Sequence, residues 1–484
     1  MIPLPKKLKR SRFKFPPCSH INIEITDNIP QKCSEFLVKQ ITGYYQKMFE
    51  GYDWDNKRNL VIRIILTSQR TLVKPGHYIL KVEPWEINLL ATTTTDLLYA
   101  MQSLKQHFLY CSYNTGDIEC LFIEDWPSFA WRGLHLDVSR HFFNYKFVRR
   151  YLDWMAAMKL NRFHWHLSDD QGWRIESKRF PLLHEIGAWR MESDDTEYGG
   201  YYTQRQIRLV LDHAEQRGIE VIPEIDIPGH AMAILAAYPE LACFPREFET
   251  MNVWGISEDI LCAGKDSVID FLKELFTEIA ELFPGPYIHL GGDEAPKTRW
   301  KQCPHCQKRI KRHRLENEEQ LQGWLLKTLA KHLRSLGKTV IGWDEILDGK
   351  IGSQPIVMAW RGDGVEAARK AHDNGNRYVI CPNTKLYFDW HIYDSPNTEE
   401  SGGMGVTTWR DVYELDLSQY RFQKKQLFLG GQANLWTEHI TTPKAIKEKV
   451  NWRIHALAEL FWSDPQPKDW PGFDQRIFDV DDWI

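Results

Sequence analysis

From Phe129 onward, apolar β-branched runs alternate with amphipathic helical stretches, and this alternation constrains the fold more than any other property of the chain. Strands are expected to end near Asp137, Leu167, Asp226, Glu294, Glu345, Trp360, Pro382 and Trp436. Helical spacing lies between most of them, at Tyr145–Lys159, Thr203–Arg217, Asp266–Leu282, Asn317–Leu336 and Gly364–Asn374, and Pro443–Leu460 closes the series. A chain that repeats strand then helix builds a parallel sheet, because each helix carries it back to the edge where the next strand starts. Eight repeats over roughly 340 residues predict a TIM (β/α)8 barrel. A doubly wound open sheet is the alternative, but no Gly-rich dinucleotide fingerprint follows any strand.

The first 125 or so residues have another pattern. Asn59–Leu66, His77–Val82 and Glu86–Leu90 read as strands, and Leu97, Leu98, Met101, Leu104 and Phe108 form the apolar stripe of a helix over Thr95–Leu109. Strands followed by a helix predict a small α+β domain over 1–125, with Glu124–Ser128 as linker and the barrel over 126–484. The basic cluster Lys6–Arg10 reads as a solvated tail.

Composition excludes several function classes. A net charge of −4 does not suit nucleic acid, which usually demands a basic excess. There is no apolar run of about 18 residues to span a membrane. No apolar segment of secretory type follows the basic N-terminus. Nine cysteines, an odd number scattered along a long chain, read as reduced buried thiols rather than a disulfide framework. Together these features lead to an expectation of a cytoplasmic location. The 20 tryptophans are the outlier; most can be core, but flat apolar faces also suit stacking on sugar rings.

Tyr287-Ile-His-Leu-Gly-Gly-Asp-Glu294 is the most telling segment: a buried strand that runs into two adjacent carboxylates. On a strand, neighbours point to opposite faces, so Asp293 and Glu294 cannot do the same job at one spot. Two carboxylates in different environments suit acid/base chemistry with divided roles. In a TIM barrel such chemistry sits at the C-terminal ends of the strands. Arg140, Asp169, His230, Asp293, Glu294, Trp343, Trp360, Asp389, Trp436 and Glu438 all collect there. Taken singly, each has a plainer reading: a strand-end cap, barrel core, or Arg140 simply paired with Asp169.

The ordered motifs carry a resemblance. Trp131–Phe142, His164-Trp-His-Leu-Ser-Asp-Asp170, Pro223-Glu-Ile-Asp-Ile-Pro-Gly-His230, His289–Glu294, Gly342-Trp-Asp-Glu345 and Asn434-Leu-Trp-Thr-Glu438 resemble glycoside hydrolase family 20, the β-N-acetylhexosaminidases. His77–Phe108 is similar to that family's N-terminal accessory domain. The resemblance covers residues 60 to 460 or so and implies a retaining mechanism without an enzyme nucleophile, in which the substrate's acetamido group attacks its own anomeric carbon. Glu294 would act as general acid and then base, and Asp293 would hold the acetamido N–H. Tyr387 would donate to the acetamido oxygen, while Trp343, Trp360 and Trp436 would wall its methyl. Arg140 and Glu438 would hold outer hydroxyls, Asp389 would reach the O4/O6 side, and Asp169, His230 and His289 would support the acid. The implied partners are β-N-acetylhexosaminide oligosaccharides or glycoconjugates, cleaved from the non-reducing end, with no cofactor and no metal.

Two metal readings compete. His164 and His166, one strand period apart, could bind an ion completed by His230 and Asp293, giving a metal-dependent hydrolase. Cys303-Pro-His-Cys306 is half of a zinc pattern, but no second cysteine pair follows it, and a plain loop is the expectation. A sugar-binding protein that has lost activity is a third class, disfavoured because binding alone would not need Asp293, Glu294 and Tyr387 together. The loops Met191–Tyr201 and Pro396–Thr408, which have no readable pattern, are where preference for the rest of the substrate would be set.

Overall fold

The computed structural model describes residues 1–52, 55–68, 72, 74–392 and 405–477. Of the loop Pro396–Thr408, therefore, only residues 405–408 fall within the described residues. Strands β1 (Lys7–Phe15), β2 (Cys18–Ile25), β3 (Asp55–Leu66), β4 (Tyr78–Glu83), β5 (Glu86–Ala91) and β6 (Ile118–Asp125) form a mixed sheet in the order β1-β6-β4-β5-β3-β2. Period-two burial marks its packed face: Tyr78, Leu80 and Val82 on β4 and Ile87, Leu89 and Ala91 on β5. Helices α1 (Gln31–Met48) and α2 (Thr94–Asn114) pack against each other and α2 against the sheet. Thr93 caps α2 by accepting from the Asp96 amide.

Fifteen of the 21 residues of α2 are buried, more than one amphipathic stripe accounts for. The reason is that α2 lies between two layers. Its far side meets the barrel, where the Tyr99 hydroxyl accepts from Arg132 Nη2 at 2.9 Å and Gln106 donates to the carbonyl of Ala157. Beside it Lys159 Nζ, fully buried, reaches Tyr78 Oη at 2.7 Å, Ser103 Oγ at 2.8 Å and Asp125 Oδ2 at 3.3 Å. Asp125 also accepts from the Trp462 indole at 2.9 Å. The basic stretch expected as a tail is instead the start of edge strand β1, antiparallel to β6, where Lys7 pairs with Glu124 and Arg10 with Glu119. Lys7, Lys9, Arg10, Arg12 and Lys14 make it a basic, exposed edge, so no sustained hydrophobic period betrays it.

The barrel is built from β7 (Trp131–Asp137), β8 (Arg162–His166), β9 (Glu220–Glu224), β10 (Tyr287–His289), β11 (Thr339–Trp343), β12 (Ile356–Ala359), β13 (Tyr378–Ile380) and β14 (Phe428–Ala433). Every neighbouring pair is parallel, and β14 pairs with β7 to close the ring. The helices run over Tyr145–Ala157, Gln204–Glu215, Asp266–Leu282, Glu318–Ser335, Val365–Asn374 and Pro443–Ala458. Four of these six have a side-chain N-cap, from Asn144, Thr203, Asn317 and Thr442, and Thr203 with Gln206 forms a reciprocal capping box. Among the described residues no helix is long and apolar enough to cross a membrane.

All but the first strand stop one to five residues earlier than the sequence suggests: β8 at His166 rather than Leu167, β10 at His289 rather than Glu294, β14 at Ala433 rather than Trp436. The polar ends of the motifs are loop, because the backbone must leave the ring where the site begins.

Candidate active site

Asp293 and Glu294 stand four and five residues past the end of β10. Gly291 and Gly292 (φ +65° and +96°) bend the chain over the barrel mouth, and Glu294 itself is left-handed (φ +44°). Glycine is required at 291: a Cβ there would lie 1.6 Å from Asp226 Oδ1. The opposed roles of the acids therefore come from this turn and not from strand pleating, which corrects the sequence argument. Asp293 points inward, its side chain 12% exposed, and Glu294 outward at 37%.

Burial raises the Asp293 carboxyl above the ordinary range, with the His230 imidazole opposing the rise. Asp226, fully buried beneath it, is raised much further, by burial and then by Asp293 itself. Two carboxyls this close cannot both ionise readily, so Asp226 holds the proton and Asp293 the charge. Asp226 also accepts from the Gly292 amide at 3.1 Å. Among the described residues Asp293 Oδ1 has no hydrogen-bond partner. It is an acceptor waiting for a donor from outside.

His230, another left-handed residue (φ +50°), sits between the acids. Its Nε2 lies 3.8 Å from Asp293 Oδ2 and 3.6 Å from Glu294 Oε2, while Nδ1 lies 3.0 Å from Asp169 Oδ1. Burial works against its charge, but the Asp169 carboxylate outweighs it and holds His230 as an imidazolium. Asp169 in turn lies 2.9 Å from Arg140 Nη2 and 2.8 Å from His166 Nε2. The plain pairing of Arg140 with Asp169 is thus present, and it is part of the site.

A cavity of about 330 Å³ opens over these acids. Trp343, Trp360, Tyr387 and Trp436 wall it, together with Arg140, Asp389 and Glu438. The Trp360 and Tyr387 rings stack at 6.2 Å and 16°, and Trp343 and Trp436 meet at 5.9 Å. Burial keeps the Tyr387 phenol protonated and so a donor. Burial, then the Glu438 carboxylate, push Asp389 up to about 7. The guanidinium of Arg140 lies over the Trp436 ring at 5.1 Å and its Nη2 3.9 Å from Glu438.

Below the cavity lies a hub that sequence reasoning missed. Glu224, fully buried at the end of β9, is 2.5 Å from His166 Nδ1, 3.0 Å from His164 Nε2 and 2.9 Å from His289 Nδ1, and accepts from the Trp343 indole at 2.9 Å. Burial opposes its ionisation, but His289, His166 and His164 together hold it well below the usual carboxylate range. His166 is the cationic partner: burial notwithstanding, Glu224 and Asp169 raise it to about 10. His164, lowered to about 4 by burial, is neutral and accepts from Gln432 at 2.9 Å. Glu345 is a second omission; it accepts from the Trp360 indole at 2.9 Å and is pushed to about 8 by burial and then by Asp293. Trp254, Asn383, Trp390 and His439 complete the lining. The available signal for the hub was the pair of acids at alternate positions, 224 and 226, directly after the apolar run Val221-Ile-Pro223.

The catalytic-metal set His164, His166, His230 and Asp293 is not assembled. His164 and His166 turn to Glu224, while His230 and Asp293 belong to separate groups with Asp226 or Asp169. Contacts of 2.5 and 3.0 Å between the histidines and Glu224 are direct. Ligands of one zinc ion, each about 2.0–2.1 Å away, would stand roughly 3.4 Å apart.

A parallel eight-stranded barrel with an acid pair and a cage of indoles over its C-terminal mouth defines the class of site. The profile described as "Glycosyl hydrolase family 20, catalytic domain" matches residues 129–465, and that of "Glycosyl hydrolase family 20, domain 2" matches residues 1–126. The chain belongs to glycosyl hydrolase family 20. It is 37% identical to a beta-hexosaminidase of Porphyromonas gingivalis over 99% of its own length, and spans 62% of that relative. It is 31% identical to a beta-hexosaminidase of Vibrio furnissii, over 95% of this chain and 76% of the relative. Among solved structures, a GH20 exo β-N-acetylglucosaminidase from Vibrio harveyi in complex with N-acetylglucosamine superposes with a TM-score of 0.83 at 28% identity, over 98% of this chain and 75% of that one. The N-acetyl-β-hexosaminidase of Streptomyces plicatus gives 0.80 at 26%, over 98% and 93%.

Proposed function

We propose that the chain is an exo-acting β-N-acetylhexosaminidase that removes terminal non-reducing β-linked GlcNAc or GalNAc with retention, using the substrate's acetamido group as nucleophile. The observation that carries this reading is the unpartnered Asp293 Oδ1, buried beside a half-exposed Glu294. An inner acceptor and an outer acid on successive residues suit a substrate that presents an amide N–H and a glycosidic oxygen to the same wall.

In the first step Glu294 gives its proton to the glycosidic oxygen as the bond from that oxygen to the anomeric carbon breaks. The acetamido oxygen forms the new bond to that carbon, and the leaving alcohol departs neutral. Asp293 accepts the acetamido N–H and offsets the positive charge of the oxazolinium ring. Tyr387 donates to the acetamido oxygen, while Trp343, Trp360 and Trp436 enclose the methyl and exclude water. In the second step Glu294 takes a proton from water, the water oxygen bonds to the anomeric carbon, and the ring opens to the acetamido sugar. Arg140, Glu438 and Asp389 close the cavity on the side away from the leaving group, which supports exo action. Asp169 and His230 hold the acid pair in place.

The test compares a chromogenic β-N-acetylglucosaminide with the matching β-glucoside. Cleavage of the acetamido sugar alone is expected. Glu294→Gln should slow a substrate with a poor leaving group by about 10²–10⁴-fold, the usual contribution of a positioned acid. Equal cleavage of both sugars, or an unchanged rate in the variant, would overturn the reading.

A further inference from the structure

Four of the nine cysteines converge at one buried point behind the acid loop. Cys243, Cys262, Cys303 and Cys306 are all buried, and their sulfurs all lie within 4.8 Å of one another. The separations resolved are 3.8 Å for Cys243–Cys306, 3.7 Å for Cys262–Cys303 and 3.7 Å for Cys262–Cys306. The Cys303–Cys306 pair is the one visible in the sequence. Its partners lie upstream rather than downstream, in the long segment between β9 and the helix Asp266–Leu282, and they are 19 positions apart, so no second short motif announces them. This corrects the expectation that Cys303–Cys306 is a plain loop.

We propose that these four residues bind one zinc ion as thiolates, in a closed structural site. Sulfurs about 2.3 Å from a single tetrahedral ion stand roughly 3.8 Å apart, which is the spacing found here. A disulfide would need about 2.05 Å, and every resolved pair is well beyond it. The surrounding backbone is shaped for the cluster. Gly264 has no room for a side chain: a Cβ would lie 2.2 Å from the Cys306 nitrogen. Its carbonyl accepts from the buried Arg309 at 2.9 Å. Binding releases four thiol protons to solvent and leaves a net charge of −2. Lys265, Lys308, Arg309 and Arg312, with Asp266 paired to Arg309, line the adjoining surface, whose positive excess offsets it.

Four sulfurs leave no open position, so the ion would not take part in hydrolysis. Its place in the fold assigns another task. Cys243 and Cys262 belong to the segment that leaves His230, and Cys262 is held to it by its amide donating to Leu241 at 2.9 Å. Cys303 ends the short helix Thr298–Gln302, and Cys306 begins the next, just beyond Glu294. The ion would clamp the two loops that carry His230 and the acid pair.

The experiment is elemental analysis of the purified full-length chain together with a thiol count. About one zinc per chain is expected, released by a mercurial in step with the appearance of four reactive thiols. Cys303→Ser should lose the zinc, whereas Cys381→Ser, a buried thiol outside the cluster, should keep it. The wild-type stoichiometry decides the matter even where Cys303→Ser fails to fold. A reduced chain that holds no zinc and takes up none, intact mass showing two disulfides, or one iron per chain with visible thiolate absorption would each overturn the assignment.

Discussion

Replacing Glu224 by Gln keeps the shape of the hub and removes its charge. In the wild type, Glu224 and Asp169 raise His166 from 6.5 to about 10. At about 1.36 kcal/mol per pKa unit this is about 5 kcal/mol, the net of the burial that opposes the charge and the two carboxylates that favour it. Asp169 remains in the variant, and stranding one partner of a buried pair costs about 3–5 kcal/mol, so a loss of about 3 kcal/mol is expected near pH 6.5. The pH dependence follows from the sign of the shift. His166 titrates higher folded than unfolded, so its contribution is complete below pH 6.5 and fades as pH rises toward 10. The gap between wild type and Glu224→Gln should therefore narrow from pH 6.5 to pH 9.5. Urea unfolding followed by tryptophan fluorescence at several pH values measures it. A variant within about 1 kcal/mol of wild type at every pH, or a gap that widens as pH rises, would refute the ion pair as the source of stability.

Three further outcomes are expected. Asp293→Asn should slow an N-acetylglucosaminide by at least about tenfold while leaving slow turnover of a sugar lacking the acetamido group unchanged; steady-state kinetics on both substrates checks this. Because Asp389 titrates near 7 and is neutral below that, kcat/KM should change through a limb near pH 7 that disappears in Asp389→Asn, read from the pH profile of each. Lys159→Met should destabilise the chain by about 3–5 kcal/mol by stranding buried Asp125, whereas the double change Lys159→Met with Asp125→Leu should recover part of the loss in the same unfolding assay.

The barrel and its helices were legible because a 3.6-residue stripe is a local property: the helix expected over Asp266–Leu282 is found over those same residues. Asp293, Glu294, Arg140 and the indoles could be placed at one mouth because the repeat itself puts strand ends there. What escaped depends on register between distant strands. Glu224 stands opposite His166 on β8 and His289 on β10, so three motifs read separately turn out to share one carboxylate. The same holds for Cys243 and Cys262, which only the path of a long loop brings to Cys303 and Cys306. Strand β1 was missed for the opposite reason, since an exposed, charged edge carries no apolar period.

The sandwiched position of helix α2 has a consequence for dividing the chain. Chain topology changes at Trp126, but Arg132, Lys159 and Trp462 on the barrel side find their partners at Tyr99, Ser103 and Asp125 on the other. A fragment beginning after that point would expose two buried cations and the apolar floor beneath them, and we expect it to aggregate more readily than the whole chain. The accessory sheet is thus less an appendage to the barrel than its missing wall, and grafting or shuffling this catalytic unit would have to carry the sheet along.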